Sequence, residues 1–305
     1  MQIRECALAK NKKSNSPASE EAVYKTNFQE ALDRFKSYRL ALVGLVVLSL
    51  IFFMAIFANF LAPQGPEYID FEAVRQPPGN GHLLGTDNVG RDVWARVAFG
   101  ARTSLIVGVG AVVVALAIGI TVGLLSGFLG KWVDTVLMRV TDAFMSVPAL
   151  ILIIIFIAIV GPSLLNVILV IALATWPTSA RVVRGQVLTL REQEFITAAR
   201  VVGVRTPKIL TSHVFPNLLG PLSVVATFGI AGAILTEAGL SFLGLGVRPP
   251  ISSWGQMVNL AQESQILIAE QWIYLPSGIM IVLTVLSVNF IGDGLRKAVD
   301  PKSVR

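Results

Sequence analysis

Residues 189–216, TLREQEFITAARVVGVRTPKILTSHVFP, are the longest polar interruption between hydrophobic spans in the second half of the chain. They are not composed like a loop. Thr189 and Glu192 have capping-box spacing, in which the hydroxyl covers a free backbone N–H and the carboxylate reaches back. Phe195, Ala198, Ala199 and Val202 recur at helical spacing, which predicts an apolar face that is small at the two alanines. Gly203 stands where such a helix would stop, because glycine takes a left-handed backbone conformation without steric cost. Thr206-Pro207 starts a second short helix, and Pro216 closes the segment. Taken alone, the residues leave two readings open: a linker helix lying on a bilayer surface, or a docking element for a soluble partner.

The composition around this stretch is that of a membrane protein. Of 305 residues 54% are hydrophobic and only 14% charged, too apolar a balance for an ordinary soluble domain. Six apolar runs are about as long as a helix needs to cross a bilayer: 40–62, 104–129, 144–162, 163–181, 217–241 and 273–293. An even number of spans puts both termini on one side. Of the 25 Lys and Arg residues, 20 fall in the two terminal tails and the 130–143 and 181–216 loops, leaving five for the 63–103 and 242–272 loops. The positive-inside rule therefore predicts cytoplasmic termini and a cytoplasmic 189–216 segment. The same distribution explains the formal net charge of +6 as topology and argues against nucleic-acid binding.

The first 39 residues lack the apolar core of a signal peptide and are expected as a solvated cytoplasmic tail, ending in an amphipathic helix around 28–39. Cys6, the single cysteine, rules out an internal disulfide. In the loop before the second span, Thr86 or Asp87 is expected to cap a helix, with Asp87 and Arg91 at i,i+4 pairing distance and His82 structural. The second span carries Ala111, Ala115, Gly119, Gly123 and Gly127, each four apart, a small-residue ridge that permits close helix packing in lipid. Asp134, Arg139 and Asp142 follow on an amphipathic stretch and are expected to pair at the surface. Trp176-Pro177 predicts a kink in the fourth span, whose helix should continue past Arg181 and Arg184. Glu237 is the one acid well inside a span; it shares a face with Gly229 and Ala233 and is a candidate for the translocation path or its gate. Trp272 and Tyr274 are expected as interfacial anchors.

Several chemistries lack their residues. There is no G-x-x-x-x-G-K-[ST], so the chain does not bind ATP by a P-loop. Two histidines on separate loops make no metal cluster, and no nucleophile turn is present; no cofactor is expected. A secondary transporter would usually show paired repeats or several intramembrane charges.

In this topology, 189–216 resembles the cytoplasmic "EAA" loop of bacterial ABC-importer permeases, whose pattern is Glu-Ala-Ala, three residues, Gly, nine residues, then Ile-x-Leu-Pro. Here the matching positions are Thr197-Ala198-Ala199, Gly203 and His213-Val214-Phe215-Pro216, with Thr in place of Glu, and His and Phe in place of Ile and Leu. LGTDNVGRDV (84–93), GARTSL (100–105), VDTVLMRVTD (133–142), ARVVRGQVLTL (180–190), SFLGLG (241–246), SSWG (252–255) and NFIGDGLRKAVDP (289–301) resemble the C-type permease subunit of oligopeptide and dipeptide ABC importers; nickel and opine importers share much of this pattern.

The resemblance implies an all-α, six-helix type I importer permease of the bacterial cytoplasmic membrane, without enzyme activity of its own. Its partners would be a second, B-type permease in a heterodimer, two P-loop ATPase subunits, an extracytoplasmic substrate-binding protein and a peptide substrate. The residues of the ATPase-coupling loop are then Phe195, Thr197, Ala198, Ala199, Arg200, Gly203 and Pro216, with Ala198 and Ala199 for close approach and Gly203 for the helix stop. The chain then divides into a tail (1–39), a first helix with its outer loop (40–103), a five-helix core (104–293) containing the 189–216 loop, and a C-terminal tail (294–305).

Overall fold

The computed structural model describes residues 27–79 and 81–299; Cys6, most of the expected N-terminal tail and the last six residues lie outside that set. α1 (Asn27–Ser37) and α2 (Arg39–Ile56) lead into the short α3 (Ala58–Leu61), and a long loop connects to α4 (Val93–Leu129). Then come α5 (Lys131–Met145), α6 (Ala149–Val160) and α7 (Leu164–Arg191). α8 (Glu194–Val201) and α9 (Thr206–Ile209) occupy the 189–216 segment, and a π-helical turn (Leu210–Val214) runs into α10 (Phe215–Phe242). A second long loop carries α11 (Trp254–Asn259) and α12 (Ser264–Ala269) before α13 (Leu275–Val299). The fold is all-α, and among the described residues β-pairing is confined to three isolated bridges in the first long loop.

Among the described residues, five helical stretches are long and apolar enough to cross a bilayer: α2, α4, α7, the run from α9 through α10, and α13. The expected third span, 144–162, is shorter than its hydropathy suggests. α6 has 12 residues, about 18 Å of helix against a hydrocarbon core of about 30 Å, and it meets α5 at 83°. Hydropathy runs smoothly over Met145–Pro148 because those side chains are mostly apolar, but Pro148 cannot continue a helix and the chain turns there. The turn expected at Gly161-Pro162 is present, with Gly161 at φ 81° and the Ser163 hydroxyl accepting from the Asn166 N–H to start α7.

Two capping expectations are corrected. Neither Thr86 nor Asp87 starts α4; Asp92 does, its carboxylate accepting from the Ala95 N–H at 2.8 Å. Thr189 does not cap α8 either. It lies inside α7, its hydroxyl donating to the Gly185 carbonyl at 3.3 Å, because α7 continues past Arg181 and Arg184 to Arg191. α7 passes through Pro177 as one helix.

The small-residue ridge of α4 packs on α7. A methyl group added at Gly119 would sit 2.6 Å from the Ser179 Cβ, at Gly123 2.6 Å from the Val183 Cβ, and at Gly127 2.8 Å from the Val187 Cβ, so the two backbones touch with nothing larger than hydrogen between them. Around this seam, Val107, Ala111, Ile153, Ile157, Val167 and Ile171 join α4, α6 and α7 in one core. A second core, at the other side of α4, brings Ile51, Leu105, Ile234 and Ile281 together around Trp254. The outward faces stay apolar: Val46, Leu50 and Ile56 of α2 are each at least 60% exposed, as befits helices whose solvent is lipid.

Candidate functional site

At one end of the bundle, α8 rests on the ends of α4, α7 and α10 through a single buried side chain. Ile196 is fully buried among Phe128, Val187, Ile209, Val214 and Leu218. Ala199, one turn on, closes the inward face, and the Arg200 guanidinium lies 4.7 Å from the centre of the Phe128 ring. The face drawn from the sequence therefore splits. Ala199 turns inward, whereas Phe195, Ala198 and Val202 are exposed, with Val201 and Val202 more than 80% so. The sequence reading missed Ile196, which its contacts with Phe128 and Val187 single out and its spacing alone does not.

The stop at Gly203 is a complete Schellman motif. Gly203, at φ 83°, donates its N–H to the Arg200 carbonyl, and Val204 donates to the Ala199 carbonyl, both at 3.0 Å. Nothing approaches within 4 Å of where a Cβ would sit, so the glycine is required by its backbone angle and not by space. Thr197 is exposed, its hydroxyl donating to the Gln193 carbonyl at 3.4 Å. Arg205 precedes α9, with Pro207 in the first turn as expected. Pro216 does not close the segment: it occupies the first turn of α10, where its missing N–H costs little, and the helical path continues.

Beside α8, α5 is tied to α7. Arg184 makes a two-pronged contact with Asp134, Nε to Oδ1 and Nη2 to Oδ2, both 2.6 Å, and the Ser126 hydroxyl donates to the same carboxylate at 2.5 Å. Arg181 pairs with Asp142 at 2.6 Å. Of the charges expected to pair at the surface of α5, Asp134 and Asp142 pair with arginines of α7, the latter on the surface, and Arg139 makes no ion pair among the described residues.

The opposite end is polar and buried. Asp87, fully buried, accepts from Arg91 Nε at 2.8 Å and from Arg96 Nη1 at 2.6 Å, and also receives the Val89 and Arg91 N–H groups. The Asp87–Arg91 pair was legible at i,i+4; the Arg96 partner, nine residues on, was not. His82 pairs with Asp92 at 2.7 Å, in keeping with a structural role. The two long loops are joined by Arg75 with Glu263 at 3.0 Å and by the Trp272 indole donating to the Thr86 carbonyl at 3.3 Å.

Glu237 belongs to this end. It is fully buried, accepting from the Ser241 hydroxyl at 2.7 Å and the Ser104 hydroxyl at 3.3 Å; the Trp254 N–H donates in turn to Ser104 Oγ. It therefore faces α4 and α11, as its small-residue face implied, and not the groove of about 430 Å³ between α4, α7 and α10. That groove is lined by Thr175, Thr178, Phe228, Gly232 and, next to Glu237, Thr236.

A bundle of long apolar helices with a short capped helix lying across one end is the architecture of an ABC-importer permease. The solved methionine ABC transporter MetNI, in inward-facing conformations, superimposes with a TM-score of 0.52 at 21% identity over 67% of this chain and 96% of that one. Residues 119–305 match the family described as binding-protein-dependent transport system inner membrane component, and residues 26–78 match the N-terminal transmembrane domain of oligopeptide transport permease C. The chain belongs to the binding-protein-dependent transport system inner membrane component family. It is 41% identical to the dipeptide transport system permease protein DppC of Alkalihalophilus pseudofirmus, over 94% of each chain. It is 39% identical to the oligopeptide transport system permease protein OppC of Bacillus subtilis, over 90% of each, and 43% identical to a putative peptide permease protein of Brucella suis, over 89% of this chain and 90% of that one. It is thus a multi-pass inner-membrane permease subunit, non-catalytic itself, of a class that works with a partner permease, ATPase subunits and a substrate-binding protein.

Proposed function

We propose that this chain is the C-type half of a heterodimeric permease that imports peptides, with a B-type permease beside it, two P-loop ATPases at the α8 end and an extracytoplasmic binding protein at the loop end. The names of the relatives favour di- or oligopeptides over nickel or another small solute. The Lys and Arg bias, 20 residues against five, supports cytoplasmic termini and a cytoplasmic α8. The core of the subunit on this reading is 104–293, with 1–39, 40–103 and 294–305 as its attachments.

One observation carries the coupling role. α8 is anchored inward by Ile196 and Ala199 while Phe195, Ala198, Val201 and Val202 stand open on its other side. A helix apolar on two faces has one too many for a surface linker, and the second face fits a groove in a soluble partner. Phe195, Ala198 and Val202 make the contact, Thr197 lies beside them, Ala199 and Arg200 hold the helix to the bundle, Gly203 fixes its end and Pro216 begins the lever that follows. Glu237 acts as a gate pin, clasping Ser104 of α4 from α10. Two packings of similar energy, biased by the ATPases at one end and the binding protein at the other, would alternate the access.

The test is copurification in mild detergent. Phe195→Asp with Val201→Asp should leave the subunit folded and paired with its partner permease while ATPase recovery falls at least tenfold. Undiminished ATPase recovery would remove α8 from the interface. Uptake competition between dipeptides, tripeptides, pentapeptides and nickel in cells lacking the endogenous chain checks the substrate class, and inhibition by nickel alone would overturn the peptide assignment.

A further inference from the structure

At the loop end, a cleft of about 260 Å³ opens between the C-terminus of α10 and α11, lined by Arg91, Arg96, Arg248, Ser241, Gln256 and Asn259. Three guanidiniums meet here. The acids near them, Asp87 and Glu237, are both fully buried and already engaged: Asp87 by two of these arginines, Glu237 by serines. Two carboxylates against three guanidiniums leave the cleft cationic. Its donors are also unspent. Arg91 uses only Nε on Asp87, and its two Nη groups have no partner among the described residues. Arg248 is exposed and makes no ion pair or side-chain hydrogen bond among them. Gln256 accepts from Arg96 Nη2 at 3.2 Å through Oε1, which leaves its amide nitrogen to donate.

The wall behind these donors is held rigidly. Arg96 is 2% exposed, pinned by Asp87 on one side and Gln256 on the other, and it fixes the wall against which Arg91 lies. Forked N–H donors on a preorganised, partly dry wall bind a planar anion with two oxygens better than they bind a spherical ion. The volume suits one terminal residue of a chain and not a whole folded domain.

We infer that this cleft is a binding site for the C-terminal carboxylate of the transported peptide, received as it leaves the binding protein; this rests on the peptide reading above. A permease for peptides of varied sequence needs a handle that all of them carry, and a backbone carboxylate is one. No acid in the cleft is free to take the peptide's amino end, so the site gives the entering chain a direction.

The experiment uses the full importer in proteoliposomes, with its ATPases and its binding protein, and compares trialanine with trialanine amide, each saturating the binding protein. Wild type should carry the carboxylate form faster. Arg248→Gln should lower the ratio of carboxylate to amide transport about tenfold, the scale of a lost charge-assisted contact, and Arg248→Lys should restore much of it. Arg248 is exposed and has no partner among the described residues, so neither substitution removes a contact seen to hold the fold. An unchanged ratio in Arg248→Gln overturns the inference. So does an equal fall for both peptides, which would assign the arginine to an acidic patch on the binding protein. If wild type carries neither peptide, the substrate reading fails with it, and that outcome is distinct because the unsubstituted importer is silent.

Discussion

The two ends of this bundle are built on opposite principles. At the α8 end an eight-residue helix is held by one buried isoleucine, one alanine and a guanidinium on a ring. At the loop end, two long segments are held by buried ion pairs, Asp87 with Arg91 and Arg96, and by the Glu237–Ser104–Trp254 chain of hydrogen bonds. Apolar contact is non-directional and tolerates sliding, whereas buried charges demand fixed partners and penalise any position that leaves one unpaired. α8 itself can therefore shift on the bundle at small cost, while beside it Arg184–Asp134 keeps α5 on α7; the loop end switches between defined arrangements or stays as it is. The proposed coupling, with a push at α8 and a gate at the loop end, would use this asymmetry.

Breaking the loop end should have the largest effect. Asp87→Ala leaves Arg96 buried and without its carboxylate, a loss of about 3–5 kcal/mol, read as a collapse in monodisperse protein and in melting temperature in detergent. A melt unchanged from wild type would mean the network is not structural. Ile196→Ala attacks the other end. The truncation costs about 2–4 kcal/mol, but confined to α8, so ATPase recovery should drop while the melt of the bundle moves little. Gly203→Val forces a β-branched residue to φ 83°, costing about 1–3 kcal/mol by unwinding the end of α8. Peptide uptake should fall with the membrane fold intact; normal uptake would show that the helix stop does not matter to coupling. Val202→Ser, on the open face, should change stability by less than about 0.5 kcal/mol and yet reduce ATPase recovery, which a purely structural α8 would not do.

How much of this was legible depended on whether a feature is local. The small ridge from Ala111 to Gly127, the turn at Gly161, the stop at Gly203 and the length of α7 follow from spacing along one helix or one turn, and the sequence carries them openly. Membership of the permease family was carried by motifs in order along the chain. What could not be read depends on distant partners. Asp87 and Arg96 are nine residues apart with a helix start between them, and Gln256 joins from 160 residues further on. The inward face of α8 was misdrawn by one residue because Ile196 and Phe195 fit the same periodicity, and only the position of Phe128 and Val187 selects between them. The short α6 was hidden because a hydropathy window sums side chains and does not see Pro148 turn the backbone.

The joint between α9 and α10 has a consequence for how force travels. From Thr206 to Phe242 the chain makes 37 residues of unbroken helical turns, with the wide π turn at Leu210–Val214 in place of a loop. That is a strut about 55 Å long, with Ile209 packed beneath α8 near its base and Glu237 clasping α4 near its tip. No loop lies between the two, although Pro216 and Pro221 each remove one backbone donor from the strut. The π turn holds one residue more per hydrogen-bonded ring than its neighbours, and moving that surplus by one position along the strut would turn only the side chain it passes, by about 100°, onto another face while both ends keep their register. The strut in this sense carries one adjustable joint, set beside the anchor of α8.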